Sequence, residues 1–332
     1  MSYEVTATRR RPTTFTDLVG QEFVVATLKS SIQHGRIANA YLFAGPRGIG
    51  KTSAARILAR CLNCEQGPNA DGCEDDETSR EISRGRHMDV IEIDGASNTS
   101  VNDVRQIRDE VLFAPNSARY KIYIIDEVHM LSNSAFNALL KTIEEPPPYV
   151  VFIFATTEVH KVPATIRSRC QQFNFRLIPL ETIKAKLAEA ATEMGVQADE
   201  DALFWMAREA TGSLRDAYTL FDQVVSFSDN HITLQKIHDK LGLVGFEQLD
   251  AMMGHIVSGA SGKAIDMLDS VLSSGVSVEQ FTIDLSNYIR ALLLIKSGVT
   301  RESILGLQAE RISRDVLQAL NREQLEQALD LF

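Results

Sequence analysis

Apolar residues in the first half of the chain fall into short continuous runs, and segments with helical spacing separate them. Continuous runs of this length are typical of strands buried on both faces, as in a parallel sheet covered by helices on each side. The runs lie at residues 40–44, 89–94, 121–127 and 149–155. The pattern therefore predicts an α/β domain built around a parallel sheet.

Helices between these strands are predicted from apolar residues three or four positions apart. One begins near Glu22, with Asp17 as its candidate N-cap, and another begins after Ser132, a second candidate N-cap. Further helices are predicted at residues 53–60 and 101–112. Strands and helices thus alternate along the chain, which is the order that a parallel sheet requires.

Helical spacing dominates the second half, and the chain divides into three predicted domains. An α/β domain occupies residues 1–178 and is interrupted by an insertion at 61–88 that contains an acidic run. A three-helix domain follows at 179–242, and a further helical domain covers 243–332. Helical spacing continues to the last residue without a clear C-terminal cap, which is compatible with a truncated last domain.

The residues after the first strand form the pattern G-x-x-x-x-G-K-T. A strand precedes the pattern and a helix-forming segment follows it, as a phosphate-binding loop requires. The glycines let backbone amides turn toward an anion, and the N-terminus of the next helix adds partial positive charge. Lys51 can reach the β- and γ-phosphates, and the Thr52 hydroxyl can ligate Mg²⁺. The candidate nucleotide-binding residues of this loop are Gly45, Pro46, Arg47, Gly48, Ile49, Gly50, Lys51, Thr52 and Ser53.

Two carboxylates end the apolar run at 121–127. Asp126 is placed to hold the Mg²⁺ that Thr52 also contacts. Glu127 is a candidate to polarise the water that attacks the γ-phosphate. An acidic strand end is ordinary by itself, but in a chain with a phosphate-binding loop it predicts an ATP hydrolysis site.

Composition and charge narrow the class of protein further. The 332 residues are 44% apolar and 23% charged, as in a soluble globular protein of two or three domains. No run approaches the about 18 apolar residues of a membrane span, and no secretory signal is evident, so we expect a cytoplasmic protein without membrane contact. A net charge of −10 argues against a generally basic surface, although it leaves room for a local basic track along nucleic acid.

Additional motifs make the chain similar to one family. They are Asp126–Leu131, Phe136–Lys141, Glu144–Pro147, Thr165–Cys170 and Gly212–Ala217. With the phosphate-binding loop, these motifs resemble the gamma/tau subunits of the bacterial DNA polymerase III clamp loader, densely over residues 1–245. The resemblance implies an AAA+ P-loop NTPase module with a parallel sheet, followed by a helical lid and an all-helical collar that assembles subunits.

The resemblance also implies roles for single residues. Arg169 is similar to the arginine finger that reaches the γ-phosphate of a neighbouring subunit, a position suited to a permanently charged guanidinium. Arg215 is similar to the sensor 2 arginine of the lid, and Thr157 to the sensor 1 hydroxyl beside the γ-phosphate. The N-terminal segment that such ATPases wrap around the adenine contains Arg11, Val19 and Gly20.

The insertion at 61–88 resembles the zinc module of the family but departs from its ligand pattern. The family has four cysteines, and the aligned positions here are Cys64, Cys73, Asp76 and Ser79. Serine is a poor zinc ligand, because closed structural sites take thiolates or imidazoles. Cys61 lies three residues before Cys64 and offers the alternative ligand set Cys61, Cys64, Cys73 and Asp76. The sequence leaves open whether this insertion binds zinc or is an ordered loop without metal.

The function implied by the resemblance is that of an ATP-driven motor subunit, with ATP and Mg²⁺ as cofactors. Such a subunit opens the ring-shaped sliding clamp and loads it onto primer-template DNA within the DNA polymerase III holoenzyme. The implied partners are companion subunits of delta and delta-prime type and copies of the chain in a pentamer. The polymerase and helicase would bind through a tail absent here, in the nucleoid-associated replisome.

Three other classes of function remain as alternatives. An AAA+ motor of the branch-migration or replication-restart type should carry a DNA-reading C-terminal domain in place of a helical collar. A nucleotide-binding scaffold without turnover would not need Lys51, Thr52, Asp126 and Glu127 together. A protein unfoldase should show an aromatic-glycine pore loop, and none is evident in the sequence.

Overall fold

The computed structural model describes residues 4–73, 76–97, 107–241, 243–273, 275–301, 305 and 312–331. The predicted helix at 101–112 lies largely outside these residues. Contacts between Cα atoms separate the chain into two compact units. The first unit contains Met1–Ile183 and Thr211–Thr219, and the second contains Lys184–Ala210 and Leu220–Phe332. The proposed lid and collar, 179–242 and 243–332, therefore share most of their residues with the second unit.

Five parallel strands form the sheet of the first unit, in the order β2-β3-β4-β1-β5. They are β1 (Ala40–Ala44), β2 (Val90–Asp94), β3 (Lys121–Asp126), β4 (Val150–Thr156) and β5 (Gln171–Asn174). The four predicted strands are confirmed, with ends that shift by one residue. The apolar pattern did not separate β5, because only Phe173 of this edge strand is buried.

The central strands are apolar along most of their length because helices cover both faces of the sheet. Successive side chains of a strand point to opposite faces, so each strand supplies two core clusters. One cluster contains Tyr41, Phe43, Ile124 and Ile153, together with residues of the helices at Glu22–Gln33 and Lys51–Leu62. The other contains Leu42, Ile125, Phe152 and Phe154, together with residues of the helix at Asn133–Glu144.

Three helices described in the first unit lie at predicted positions, which are Glu22–Gln33, Lys51–Leu62 and Asn133–Glu144, and three short ones were not predicted. In chain order, the six are α1 (Thr6–Arg9), α2 (Glu22–Gln33), α3 (Lys51–Leu62), α4 (Glu77–Ser83), α5 (Asn133–Glu144) and α6 (Ala164–Arg167). Ser132 caps α5 as predicted, because its hydroxyl accepts the Ala135 amide at 3.2 Å. The prediction that Asp17 caps α2 is wrong. Its carboxylate accepts the Thr14 amide at 3.0 Å and closes the turn Phe15–Asp17 instead.

Helices account for most of the chain after residue 179. They are α7 (Leu180–Met194), α8 (Glu200–Glu209), α9 (Leu214–Val225), α10 (Leu234–Leu241), α11 (Phe246–Val257), α12 (Ser261–Ser273), α13 (Val278–Lys296), α14 (Arg314–Ala319) and α15 (Arg322–Leu329). The short strands β6 (Gln197–Ala198) and β7 (His231–Ile232) pair in parallel. The segment 179–242 thus contains a fourth helix, α10, beyond the three predicted.

The last helices bury a core of their own within the second unit. Phe281, Leu285 and Ile289 of α13 are buried, as their helical spacing predicts. Ile265 of α12 also falls at helical spacing, but 65% of its surface is exposed. Among the described residues, no helix combines the length and the apolar character that crossing a membrane requires.

Candidate nucleotide-binding site

Three strand ends meet at one edge of the sheet and carry the predicted site. Because β4 lies between β1 and β3 and all three are parallel, their carboxyl ends are neighbours. The phosphate-binding loop follows β1, Asp126 ends β3, and Thr157 follows β4. The connection that leaves β1 leads to β2 at one side of the sheet, whereas the connection that leaves the neighbouring β4 leads to β5 at the other side. Open α/β sheets bind ligands where neighbouring strands have connections in opposite directions.

The backbone of the loop requires glycine at particular positions. Gly50 is the N-cap of α3 with φ 102°, in the left-handed region that favours glycine. A Cβ atom added there would lie 2.7 Å from Leu18 Cδ1. Gly48 has φ 73°, and a side chain there would collide with Ser213. The chain can therefore turn tightly into the N-terminus of α3, where free amides and the helix dipole favour an anion.

Lys51 and Thr52 are the first residues of α3, and the side chains of both make hydrogen bonds within the candidate site. The Lys51 ammonium donates to the carbonyl oxygens of Gly45 at 2.8 Å and Pro46 at 2.6 Å. Burial lowers the pKa of Lys51, although the nearby acidic groups oppose this shift. The Thr52 hydroxyl donates to Asp126 Oδ2 at 2.6 Å, so the two predicted Mg²⁺ ligands are in direct contact.

Glu127 directly follows the strand that ends in Asp126. Its backbone lies in the left-handed region, with φ 45° and ψ 44°, which is uncommon for a residue other than glycine. The Thr157 hydroxyl donates to Glu127 Oε2 at 3.1 Å. Two predicted catalytic residues from neighbouring strands are therefore in contact.

A cavity of 440 Å³ lies beside the loop, within the size range of small-molecule sites. Its lining includes twelve of the predicted residues, which are Arg47, Gly48, Ile49, Gly50, Lys51, Thr52, Ser53, Arg11, Val19, Asp126, Glu127 and Arg215. Five predicted residues are not among the described residues that line the cavity, namely Gly45, Pro46, Gly20, Thr157 and Arg169. Gly45 and Pro46 nevertheless contribute through the carbonyl oxygens that hold Lys51.

The N-terminal segment and the start of α9 close the cavity. Arg11 Nε donates to the Ser53 hydroxyl at 3.3 Å, and burial lowers the pKa of the Arg11 guanidinium. The Arg215 amide donates to the Gly48 carbonyl oxygen at 3.3 Å. The predicted lid arginine is therefore anchored to the loop by its own backbone.

Sequence reasoning missed part of the cavity wall. Leu214, Tyr218 and Thr219 also line it, and Arg10 Nη1 donates to the Tyr218 hydroxyl at 3.5 Å. Residues three or four positions apart share one face of a helix. The spacing from Arg215 to Tyr218 and Thr219 was the signal that could have identified them.

Arg169 lies away from the cavity, between α6 and β5. Its guanidinium pairs with Glu144 at 2.5 Å and donates to the Thr165 carbonyl oxygen at 2.6 Å. The side chain is 36% exposed. These contacts place the arginine at the surface, where a second molecule can reach it.

The insertion at 61–88 brings together three of its candidate ligands. Within the described part of the chain, the sulfurs of Cys64 and Cys73 and a carboxylate oxygen of Asp76 lie within 4.8 Å of one another. Cys61 is not part of this group, since its thiol faces the Ala70 carbonyl oxygen at 3.8 Å. Burial raises the pKa of Cys61 to about 12. The structure does not assemble the alternative ligand set that includes Cys61.

The Asp76 carboxylate is already engaged by the backbone. It accepts the Ser79 amide at 2.5 Å as the N-cap of α4, and it accepts the Glu65 amide at 3.2 Å. The cluster thus offers two thiols and a carboxylate whose oxygens already accept the amides of Glu65 and Ser79. This donor set does not fit a closed zinc site, which takes four sulfur or nitrogen ligands.

Comparison with known families identifies the class of the protein. Residues 20–179 match the family model for the DNA polymerase III delta subunit, and residues 182–230 match that for the ATPase lid domain of the DNA polymerase III clamp loader subunit. The parallel sheet, the loop after β1 and the lid together define an AAA+ nucleotide-binding module. More narrowly, the chain belongs to the DNA polymerase III subunit gamma/tau family.

Several curated relatives support this assignment. The tau subunit of Escherichia coli is 42% identical over 296 residues, which cover 89% of this chain and 46% of the relative. The tau subunit of Bacillus subtilis is 40% identical, covering 100% of this chain and 59% of the relative. The gamma subunit of Buchnera aphidicola is 39% identical, covering 87% and 80%. The chain spans about half the length of the tau subunits that it matches.

Solved structures of lower sequence identity confirm the fold. The Thermotoga maritima RuvB Holliday junction branch migration motor aligns with a TM-score of 0.54 and 19% identity. The alignment covers 82% of this chain and 88% of RuvB. At this identity the likeness shows a shared AAA+ fold and carries no argument for a shared substrate.

Proposed function

We propose that this chain is the ATP-hydrolysing motor subunit of a sliding-clamp loader. One observation carries the proposal, which is that the Thr52 hydroxyl contacts Asp126 at 2.6 Å in a cavity that Lys51 and Glu127 also line. A nucleotide-binding scaffold without turnover would not need this complete set. Because the relatives are named as subunits of DNA polymerase III, we assign the proposed ATPase activity to that complex.

Each residue of the cavity would have a distinct task. Thr52 Oγ1 and Asp126 Oδ2 are hard oxygen donors at contact distance, so they fit two ligand positions of one Mg²⁺ ion. When bound, the ion would neutralise charge on the β- and γ-phosphates. Lys51 would exchange its loop carbonyls for phosphate oxygens, and Glu127 would polarise the attacking water.

Three further residues would complete the reaction site. Thr157 would place its hydroxyl between Glu127 and the γ-phosphate. Arg215 would contact the phosphates within its own subunit, and Arg169 would contact those of a neighbour. Val19, Gly20 and Arg11 would hold the adenosine.

The partners follow from the same proposal. ATP between subunits would stiffen an open spiral made of copies of this chain with companion subunits of delta and delta-prime type. This spiral would hold the sliding clamp open in the cytoplasmic replisome. Primer-template DNA would be held through its phosphates, independently of sequence, and would trigger hydrolysis that releases the clamp. Polymerase and helicase would be further partners of the same assembly.

The proposal is tested by the steady-state ATPase rate of the chain assembled with its companion subunits. We expect the rate to rise when primed DNA and the ring clamp are both present, and to rise less with either alone. The same assembly made with Lys51→Ala chains is the control for contaminating ATPases. An ATPase rate that is unchanged by the clamp but rises when four-way DNA junctions are added would contradict the proposal and favour a branch-migration motor.

Zinc content is a separate expectation. Purified protein should contain less than one zinc ion per chain by elemental analysis, because Asp76 and Ser79 replace two thiolates. The matched control is Asp76→Cys combined with Ser79→Cys, which restores four cysteines and should bind zinc. Full occupancy of the parental chain, lost on Cys64→Ser, would show that the metal-free interpretation is wrong.

A further inference from the structure

A buried histidine lies beside the candidate catalytic carboxylate. His129 belongs to the short turn Val128–Met130 that directly follows Glu127. Glu127, directly before this turn, has a left-handed backbone conformation, and the imidazole lies near the Glu127 side chain. Strained backbone of this kind persists where surrounding contacts fix it, and it is concentrated at functional sites.

Both ring nitrogens of His129 have polar neighbours, although only 6% of the side chain is exposed. Nδ1 lies 3.0 Å from Thr156 Oγ1 and 3.4 Å from Glu127 Oε2. Nε2 lies 3.3 Å from Glu158 Oε1. The imidazole therefore bridges two carboxylates, one in the nucleotide cavity and one at the surface.

The far carboxylate is itself fixed in place. Glu158 Oε1 accepts the Lys161 ammonium at 2.9 Å, and the Glu158 amide donates to the Thr156 hydroxyl at 3.0 Å. His129 is thus held through Nδ1 by Thr156 at the end of β4 and through Nε2 by Glu158 in the turn after it. The Nδ1 edge also faces the same Glu127 oxygen that Thr157 contacts at 3.1 Å.

We propose that His129 is a positioning residue for Glu127. Together with Thr157, its Nδ1 edge fixes the carboxylate that polarises the attacking water. A glutamate side chain has several rotatable bonds, so a single contact would leave the carboxylate free to turn. When the Thr157 hydroxyl turns toward the γ-phosphate, His129 keeps the carboxylate in place. This role depends on the proposed ATP hydrolysis at this cavity.

A purely structural role for His129 makes a different prediction. If the residue only ties Glu158 to the turn, the Nε2 edge matters and the Nδ1 edge does not. Because Nδ1 also contacts Thr156, Thr156→Val measures what the loss of that contact alone costs, and a fall in kcat as large as that of His129→Ala would contradict the positioning role. The amide of asparagine reaches the position of Nδ1, whereas the longer glutamine reaches the position of Nε2. His129→Asn and His129→Gln therefore separate the two roles without deleting the polar group.

The experiment measures kcat, KM and nucleotide affinity of the assembled loader with primed DNA and clamp. His129→Ala should lower kcat by about 10- to 100-fold with little change in KM or affinity, since misplacing a catalytic group has effects of this size. His129→Asn should recover most of kcat, and His129→Gln should not. His160→Ala is the matched control, because this exposed histidine lies 3.5 Å from Glu158 Oε2 and should leave kcat unchanged.

Two results would overturn the positioning role. One is a parental kcat in His129→Ala, and the other is recovery of kcat by glutamine that equals or exceeds recovery by asparagine. If His129→Ala does not fold, as judged by circular dichroism, comparing the kcat of His129→Asn with that of His129→Gln still tests the positioning role. A parental protein that turns over no faster than Glu127→Gln would contradict the proposed ATPase function itself.

Discussion

Changing Arg169 to alanine is expected to leave ATP binding by the isolated chain nearly unchanged and to lower hydrolysis by the assembled loader about 10³–10⁵-fold. The guanidinium lies outside the nucleotide cavity of its own chain and pairs with Glu144 at the surface. In the proposed finger role it would therefore stabilise charge on the transferred phosphoryl group at the cavity of a neighbour. Equilibrium nucleotide binding and steady-state phosphate release measure the two effects.

The surface ion pair provides the matched control for this prediction. Glu144→Ala removes the partner but leaves the guanidinium, so it should retain most of the turnover if Arg169 acts as a finger. An exposed pair of this kind stabilises a protein by at most about 1 kcal/mol. Equal losses in Arg169→Ala and Glu144→Ala would mean that only the ion pair matters.

Mixing two inactive chains tests whether the arginine acts in trans. An Arg169→Ala chain and a Lys51→Ala chain should recover partial activity when assembled together. Some interfaces then pair an intact loop with an intact arginine. No recovery in assemblies shown to contain both chains would contradict an arginine that acts on the neighbouring subunit.

The parts of the site that sequence could predict are those in which local pattern and topology coincide. The apolar run at 40–44 became β1 and the run at 121–127 became β3, because both are covered on two faces. Parallel strands end at a common edge of their sheet. The contact between Thr52 and Asp126, which are 74 positions apart, follows from that geometry.

The parts that could not be predicted depend on contacts with no local signature. The bridge from His129 to Thr156 and Glu158 requires the register of β3 against β4, which single strands do not encode. Asp17 shows the same limit at short range. It has the spacing of a helix cap, but its carboxylate finds a nearer amide at Thr14.

Substitutions at Lys51 and Glu127 are expected to separate nucleotide binding from turnover. Lys51→Ala should abolish detectable ATP binding, because the ammonium is the positive charge at the loop that reaches the β- and γ-phosphates. Glu127→Gln should bind ATP as the parental chain does and lose about 10²–10⁴-fold in turnover, the usual contribution of general acid–base catalysis. Binding of a fluorescent ATP analogue and steady-state phosphate release distinguish the two outcomes.

The glutamine substitution isolates the chemistry because it preserves the surroundings of Glu127. Its amide oxygen can still accept from Thr157, and the contact between Thr52 and Asp126 is untouched. What is lost is the negative charge that draws a proton from water. Glu92→Gln is the matched control, since this carboxylate also borders the cavity but pairs with Arg56 at 2.6 Å and should retain most of the turnover. A Glu127→Gln chain that hydrolyses ATP at the parental rate would assign the polarisation of water to another group.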